Sequence, residues 1–380
     1  MKVLHIHIGA PKTATTAIQF FCSENARVLA EKGYCYPIFP FSYPGIAPGH
    51  NGRFLLGMLK DENGVRDTAQ EEKNFKEGMA IVHELFETYD NIVLSDESIW
   101  RGMDSEKKDL WEIMMQDAQK EGYRIHVIVY FRRQDKYFLS HWNQQVKKQR
   151  SEELFEDYAD RVDRLRLDYY RKLSRMAEIV GKENITVRRF ESGRLEGGNI
   201  YADFLTTLGL TLTEEYHVSQ EVRNTGLYGN THEIKRLLNA FPEMKQNRTQ
   251  LFIVETLQKC SDLSKKQYPA EMYSKEEIEA FLEPYQAGNR KIAEEYLYEP
   301  GKELFDEPVK DLPKWQKENP YMMDDLIRFT GVMGMSLYQE NQRLKKELEE
   351  LSHEFSSLRF HLRHPLKTVI RKIKGKTSSK

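Results

Sequence analysis

The sequence predicts an α/β fold, in which helices flank a parallel β-sheet and a helical coiled-coil extension follows at the C-terminus. Short apolar segments rich in β-branched residues alternate with segments whose apolar residues recur at helical spacing, which is typical of consecutive βαβ units. Strands that alternate with helices in this way indicate a parallel sheet covered on both faces. Near the C-terminus the apolar residues instead repeat at alternating intervals of four and three.

The predicted strands are short, and each is followed by a helical pattern. The strands cover residues 3–8, 91–95, 125–131 and 185–190. The helices between and after them cover residues 15–31, 71–89, 107–121, 134–148, 153–180 and 199–208. Residues 34–51 are rich in Pro, Gly and aromatic side chains, which favours a loop, and residues 220–298 are mostly helical in pattern.

The composition is that of a folded chain with a substantial core. Hydrophobic residues make up 39% and charged residues 31% of the 380 positions, which fits one large domain with appendages or two domains. Cys22, Cys35 and Cys260 are too few and too widely spaced for a disulfide framework or a zinc site. No apolar segment suits a signal peptide or a membrane span, so we expect a cytoplasmic protein.

The apolar pattern of the chain changes after a proline-containing segment. This segment, residues 306–335, is predicted to be a connector. Residues 336–362 are predicted to form a coiled-coil helix, through which residues 337–362 would join copies of the chain. The alternative is an amphipathic helix that folds back on the body. The repeating positions are Leu337, Asn341, Leu344, Leu348, Leu351, Phe355, Leu358 and Leu362.

Residues 363–380 form a basic amphipathic tail. From Arg359 to Lys380 there are eight Lys/Arg and no Asp or Glu, although the whole chain has a net charge of −2. Apolar residues alternate with these basic ones, which favours a helix on an anionic membrane surface at the inner face of the membrane. The alternative is a solvated terminus. No nucleic-acid partner is expected.

The turn after the first strand carries the clearest chemical signal. Gly9 is followed by Lys12, Thr13, Thr15 and Thr16, just where a strand passes into a helix. Loop N–H groups, the helix dipole, one lysine and three hydroxyl groups would converge on an anion, most naturally a phosphate. The spacing differs from that of the nucleoside-triphosphate P-loop, in which lysine follows a second glycine.

A second cluster follows the strand at residues 125–131. Arg132 and Arg133 stand at the strand end, and Ser140 lies eight residues after Arg132 on the predicted helix. An arginine and a serine so placed can grip one phosphate through charge-assisted hydrogen bonds. Taken alone, the pattern would be no more than a surface arginine pair with a helical serine.

These two clusters resemble a known family. Residues 11–16, PKTATT, resemble the 5′-phosphosulfate loop of sulfotransferases that use 3′-phosphoadenosine 5′-phosphosulfate (PAPS), usually P-K-[ST]-G-T-T, with Ala14 in place of glycine. Arg132 and Ser140 resemble the family's 3′-phosphate motif. Other stretches, such as VIVYFRRQDKYFLSHWNQQVK, resemble a bacterial branch, and the likeness extends over residues 1–305, the predicted catalytic domain. It implies a P-loop-like phosphosulfate-binding turn at the sheet's carboxyl edge.

The resemblance also implies roles for individual residues. Lys12 would stabilise the 5′-phosphate as it leaves, and Phe190 would stack on adenine. The residues that would form the 5′-phosphate loop are Pro11, Lys12, Thr13, Ala14, Thr15 and Thr16. The residues that would hold the 3′-phosphate are Arg132 and Ser140. Arg223 and Asn224 would close over the nucleotide.

The acceptor's proton requires a base, which in this family is a Glu or a His. Glu97 follows the strand at residues 91–95 and is the first candidate, the alternative being that it caps the next helix. His50, in the aromatic-rich loop over residues 39–51, is the second candidate. No ligand spacing such as HExxH or CxxC occurs, so no metal is expected.

The resulting prediction is a sulfotransferase that moves a sulfuryl group from PAPS to a hydroxyl or amine and releases 3′-phosphoadenosine 5′-phosphate (PAP). The acceptor would be a glycan, a glycan precursor or a small molecule. One alternative is a phosphoryl-transfer enzyme with an atypical P-loop, which would need ATP and a magnesium-binding carboxylate such as Asp96. Another is a non-enzymatic scaffold built around the coiled coil.

Overall fold

A computed structural model describes residues 1–43, 46, 49–102, 109–161, 167–219 and 226–363 of the chain. The chain forms two compact units. The first comprises Met1–Gln149, Glu153–Gly226 and Ala270–Trp315. The second comprises Arg150–Glu152, Leu227–Pro269 and the described part of the segment that starts at Gln316.

The first unit contains a five-stranded sheet in which every pairing is parallel. In chain order the strands are β1 Val3–His7, β2 Tyr34–Cys35, β3 Asn91–Ser95, β4 Arg124–Phe131 and β5 Ile185–Arg189. Their order in the sheet is β2-β3-β1-β4-β5. The predicted α/β class with a parallel sheet flanked by helices is confirmed. β1 lies at the centre, between β3 and β4. The strands β2 and β3 extend the sheet on one side of β1, and β4 and β5 extend it on the other.

Helices cover both faces of this sheet. Those of the first unit are α1 Thr15–Glu24, α2 Ala26–Glu31, α3 Thr68–Leu85, α4 Ser98–Gly102, α5 Leu110–Glu121, α6 Gln134–Gln149, α7 Phe155–Arg161, α8 Tyr169–Val180, α9 Ile200–Thr207 and α12 Lys275–Tyr296. On one face Leu4 and Ile6 pack with Met114 of α5, and on the other Ile128 packs with Phe204 of α9. Burial on both sides explains why the strands are rich in Val, Ile and Leu.

Two helix predictions were wrong because long-range or capping contacts break the pattern. The predicted helix over residues 15–31 is split at Asn25, whose Oδ1 accepts a hydrogen bond from the backbone N–H of His217 at 2.7 Å. The predicted helix over residues 153–180 is interrupted, because Asp168 caps α8 by accepting from the N–H of Arg171 at 3.0 Å.

A row of polar side chains crosses four strands. Nε2 of His5 lies 3.1 Å from Oδ1 of Asn91, Nδ1 of His5 lies 2.8 Å from Nδ1 of His126, and Nε2 of His126 lies 2.8 Å from Oγ1 of Thr186. The hydrogen bonds of this row can all form when both rings are neutral. One of the two facing Nδ1 atoms must then accept a hydrogen bond from the other. Burial lowers the pKa of His5 to about 4 and, together with the neighbouring His5, that of His126 to about 4.

Acidification should therefore destabilise this unit. The unfolded chain binds protons at its histidines near their ordinary pKa of 6.5, whereas the native pair resists them until about pH 4. The free energy of unfolding should thus fall as pH drops from about 6.5 to 4, by a few kcal/mol for each histidine (roughly 1.4 per pKa unit). Urea unfolding of His5→Gln should show a shallower loss than the wild type.

The matched control for this prediction is His217→Gln, because His217 is exposed in the same unit. That variant should lose stability on acidification as steeply as the wild type. Equal slopes for His5→Gln and the wild type would contradict the assignment of acid sensitivity to the buried row.

The second unit is helical. Its helices are α10 Gly229–Leu238, α11 Asn247–Gln267 and α13 Met322–Arg363. Their core contains Leu257 and Phe329, and the buried carboxylate of Asp325 accepts from Oγ of Ser264 at 2.6 Å. Helix α13 begins inside the segment predicted as a connector and runs through the predicted coiled coil.

Two further predictions concern the C-terminal part. Residues 364–380 of the predicted basic tail, and the side chains of Leu358 and Leu362, lie outside the described residues. Within the part that is described, no helix is both long enough and apolar enough to cross a membrane.

Candidate functional site

The turn between β1 and α1 has an unusual backbone. Lys12 and Ala14 both have positive φ, 71° and 61°, in the left-handed region that favours glycine. Each non-glycine residue there costs roughly 1 kcal/mol. The hydroxyl of Thr13 donates to the carbonyl of Ala10 at 2.6 Å, and the N–H of Ala10 donates to the carbonyl of Tyr130 in β4 at 2.8 Å. The predicted hydroxyl donor Thr13 therefore shapes the loop itself.

The N-terminus of α1 faces this turn. Its N-cap residue, Ala14, has no side-chain acceptor for the first helical N–H groups, so a bound anion would serve as that acceptor. Pro11 and Thr15 are buried, and Thr16 is half-buried. The loop thus offers backbone N–H groups and a helix terminus at one place.

Arg132 joins this turn to the neighbouring strands. Its Nη1 donates to the carbonyl of Lys12 at 3.2 Å, and its guanidinium carbon lies 5.8 Å from the ring centre of Phe190, which follows β5. The Tyr169 hydroxyl donates to the Arg132 carbonyl at 2.8 Å. Because parallel strands bring their carboxyl ends to one edge, three residues predicted from separate motifs lie together.

The adjacent Arg133 has a different role. Its Nε and Nη2 donate to the two carboxylate oxygens of Asp135 at 2.7 and 2.9 Å, and it is buried. Only the first residue of the arginine pair therefore contacts Lys12. Ser140 lies on α6 and is half-buried, while Arg223 and Asn224 lie outside the described residues.

Positive charges concentrate around Lys12. Burial, followed by repulsion from Lys148, Lys147 and Arg132, lowers the pKa of Lys12 to about 8, although the attraction of Glu97 opposes this change. Burial likewise lowers the pKa of Lys147 to about 8. An anion placed among these groups would relieve their repulsion. The sequence analysis missed Lys147 and Lys148, because two lysines at a helix end form no motif.

Two carboxylates and one histidine lie close together beside the turn between β1 and α1. Asp96 and Glu97 directly follow β3, and His50 comes from the loop before it. Oε2 of Glu97 accepts from Nε2 of Gln19 at 3.1 Å. Nδ1 of His50 lies 3.4 Å from Oδ2 of Asp96 and 3.5 Å from Oε2 of Glu97. A Cβ at Gly9 would lie 3.0 Å from the Cβ of Glu97, so the turn between β1 and α1 is adjacent to this group.

Asp96 is fully buried yet ionised. Burial opposes its ionisation, but His50, Arg53 and Ser98 outweigh burial and hold the pKa of Asp96 below its ordinary value. Its Oδ1 accepts from the Ser98 N–H at 2.7 Å and from Nη1 of Arg53 at 3.3 Å. Asp96 is thus a fixed negative charge beside His50 and Glu97.

The segment that carries His50 is tied to the sheet. The Asn51 amide donates to the carbonyls of Val93 and Pro37 at 3.0 and 3.1 Å, and its Oδ1 accepts from the Ser95 N–H at 2.8 Å. Beside it, a Cβ at Gly52 would come within 3.2 Å of the Ser95 backbone. Asn51 and Gly52 therefore position His50, which the sequence analysis did not foresee.

The aromatic residues of the same loop pack inward. Phe39 and Phe41 lie 4.6 and 6.0 Å, between ring centres, from the buried Phe54. The hydroxyl of Tyr43 accepts from Nδ2 of Asn74 at 3.3 Å. These three aromatic residues pack against the core, whereas His50 lies beside Asp96 and Glu97.

His50, Asp96 and Glu97 also form a set of donors that suits a metal ion, since their ligand atoms lie within 4.8 Å of one another. The sequence analysis expected no metal, because His50 is distant from the carboxylates along the chain. The Arg53 guanidinium already compensates Asp96, so a further cation would meet repulsion there.

Comparisons with known proteins add little weight. No protein-family model matches the chain. An uncharacterized protein from Archaeoglobus fulgidus is 25% identical over 173 residues, which span 45% of this chain and 45% of that protein. The crystal structure of a sulfotransferase from Alicyclobacillus acidocaldarius aligns with a TM-score of 0.34 and 13% identity over 58% of this chain and 85% of that one. The function must therefore be argued from the site.

Proposed function

We propose that this protein transfers a sulfuryl group from PAPS to a hydroxyl or amine of an acceptor. The contact between Arg132 and Lys12 is the observation that carries the proposal, because it brings an arginine of the predicted 3′-phosphate motif against the predicted 5′-phosphate loop. PAPS carries anionic groups at both its 5′ and 3′ ends. Two cationic motifs at neighbouring strand ends match such a ligand.

The donor would lie along the carboxyl edge of the sheet. The 5′-phosphosulfate would meet Lys12 and the N-terminus of α1, and the 3′-phosphate would meet Arg132 and Ser140. Phe190 would hold the adenine ring beside the Arg132 guanidinium. Burial and then repulsion from neighbouring cations lower the pKa of Lys12, and this supports the arrangement because a bound polyanion would offset that repulsion.

The transfer would be an in-line displacement at sulfur. The acceptor oxygen or nitrogen bonds to sulfur as the bond from sulfur to the 5′-phosphate oxygen breaks, which leaves PAP. Lys12 would neutralise the charge that develops on that oxygen. Glu97, adjacent to the turn between β1 and α1, would accept the acceptor's proton. His50 lies beside this carboxylate, with its Nδ1 3.5 Å from Oε2.

A second candidate function is metal-assisted phosphoryl transfer from ATP. The donor set of His50, Asp96 and Glu97 favours it, because a phosphoryl-transfer enzyme would hold magnesium through such carboxylates. The Arg53 guanidinium, whose charge already compensates that of Asp96, counts against it. We therefore rank sulfuryl transfer first.

Thermal unfolding distinguishes the two functions. PAP should raise the unfolding temperature equally in EDTA and in magnesium, because its proposed contacts are cationic side chains and N–H groups. ATP at the same concentration is the matched comparison. Stabilisation by ATP that requires magnesium, without an effect of PAP, would favour phosphoryl transfer. Stabilisation by neither nucleotide would favour a scaffold without a working nucleotide site.

We further propose a glycan or glycan precursor as the acceptor and the basic tail as a contact with an anionic membrane surface. Both rest on the charge pattern of the C-terminus and the family resemblance. Transfer of labelled sulfuryl groups from PAPS to a panel of glycans and small phenols tests the acceptor class. Labelling of the phenols alone would overturn the glycan proposal.

A further inference from the structure

Helix α13 has a covered part and an exposed part. Near its start, Asp325 and Phe329 are buried in the second unit. From residue 337 onward, large apolar side chains are exposed along one line, which we call the α13 stripe. The members with described side chains are Leu337 at 52%, Leu344 at 51%, Leu348 at 68%, Leu351 at 62% and Phe355 at 68% exposure, with Asn341 between the first two.

The spacing of the stripe identifies the kind of surface that would cover it. Alternating steps of four and three give a period of 3.5 residues, which stays on one line only when two helices supercoil. Position a is then occupied by Asn341, Leu348 and Phe355. Position d is occupied by Leu337, Leu344 and Leu351. A flat surface would not select this period.

The flanks of the stripe argue against an anionic membrane. Position g, beside the stripe, is occupied by Glu340, Glu347 and Glu354. Helices that lie on anionic lipid carry Lys and Arg at such flanking positions. Glu340 and Glu347 each pair with Arg343 of the same helix, and an acidic flank is better matched by a partner helix that offers positive charge than by anionic lipid.

A second copy of the chain offers that charge in one orientation. In a parallel pair, position g faces position e of the next heptad, so Glu340 would meet Lys345 of the partner subunit. In an antiparallel pair, the three g-position glutamates would face one another. Parallel alignment also places Asn341 opposite its own copy, where the two amides can hydrogen-bond; a polar a position of this kind fixes register and favours two strands.

We propose that residues 337–356 form a parallel, in-register, two-stranded coiled coil with a second copy of this chain. The stripe covers only about three heptads, so the two copies should separate when the protein is diluted. The two chains then leave the coiled coil at the same end. This proposal is independent of the reaction that the first unit catalyses.

The test uses the full chain in analytical ultracentrifugation over a range of concentrations. The wild type should approach twice the 44.8 kDa chain mass. The double variant Leu344→Glu/Leu351→Glu should remain at the single-chain mass. Its helical circular dichroism should lose no more than the coiled-coil helix contributes, because the rest of the chain stays folded. Lys346→Glu, at an outward-facing exposed position, is the matched control and should dimerise like the wild type.

Orientation is tested by mild oxidation. Leu344→Cys should crosslink the dimer, because position d meets its own copy in a parallel in-register pair, whereas Lys346→Cys should not. Wild type that stays at the single-chain mass, or that forms larger assemblies, would overturn the proposal. So would a dimer that survives both glutamate substitutions, or one in which Leu344→Cys fails to crosslink.

Discussion

Lys12→Ala should slow sulfuryl transfer from PAPS about 100- to 1,000-fold, the usual effect of removing one group that stabilises developing charge. It should also weaken PAP binding, because Lys12 would contact the 5′-phosphate before and after transfer. Initial rates and calorimetric titration with PAP measure the two effects. Lys12→Arg is the matched control, since it keeps the charge and should retain most of the PAP affinity.

The same variant should change how PAP binding depends on pH. The pKa of Lys12 is about 8 without a ligand, so the lysine loses its positive charge as pH rises through 8. Wild-type affinity for PAP should therefore fall above pH 8. Lys12→Ala should show a smaller fall, and what persists would report Lys147, whose pKa is also about 8. PAP affinity equal to that of the wild type would contradict the assignment of the turn to the 5′-phosphate.

Glu97→Gln should reduce the rate about 100- to 10,000-fold, the usual contribution of a general base. PAP affinity should stay within about a factor of three of the wild type, because Glu97 would face the acceptor and glutamine keeps its shape (each factor of ten being about 1.4 kcal/mol). Single-turnover kinetics with saturating PAPS isolates the chemical step.

His50→Asn is the companion to this variant. If Glu97 is the base, His50→Asn should lose less activity than Glu97→Gln. Normal turnover by Glu97→Gln would show that Glu97 is not the base, and a large loss in His50→Asn alone would transfer that role to His50.

The sheet was predictable because its strands carry their own signal. Helices cover both faces, so β1, β3, β4 and β5 each contain buried Val, Ile or Leu side chains in a short segment. Tyr34–Cys35 was missed because a two-residue strand is too short to show any period. The break at Asn25 depends on His217, which is 192 positions away, and no local pattern reports such a contact.

The site was predictable where it follows strand ends. Lys12, Glu97 and Arg132 each come one to five residues after a strand ends, and parallel strands place such residues at one edge. The pairing of Asp96 with Arg53 was not predictable, because it requires the preceding loop to fold back on β3. Tertiary contacts of this kind leave no periodic trace in the sequence.

Asn51 fills the place of a neighbouring strand beside β3, which has a thermodynamic consequence. The backbone next to His50 is ordered when the chain folds, so the entropy of fixing it is already spent before an acceptor arrives. An acceptor that approached His50 would meet a preorganised backbone there and would lose little affinity to the ordering of that segment. Discrimination between acceptors would then depend on whether their shape fits a rigid surface, with little accommodation by the protein.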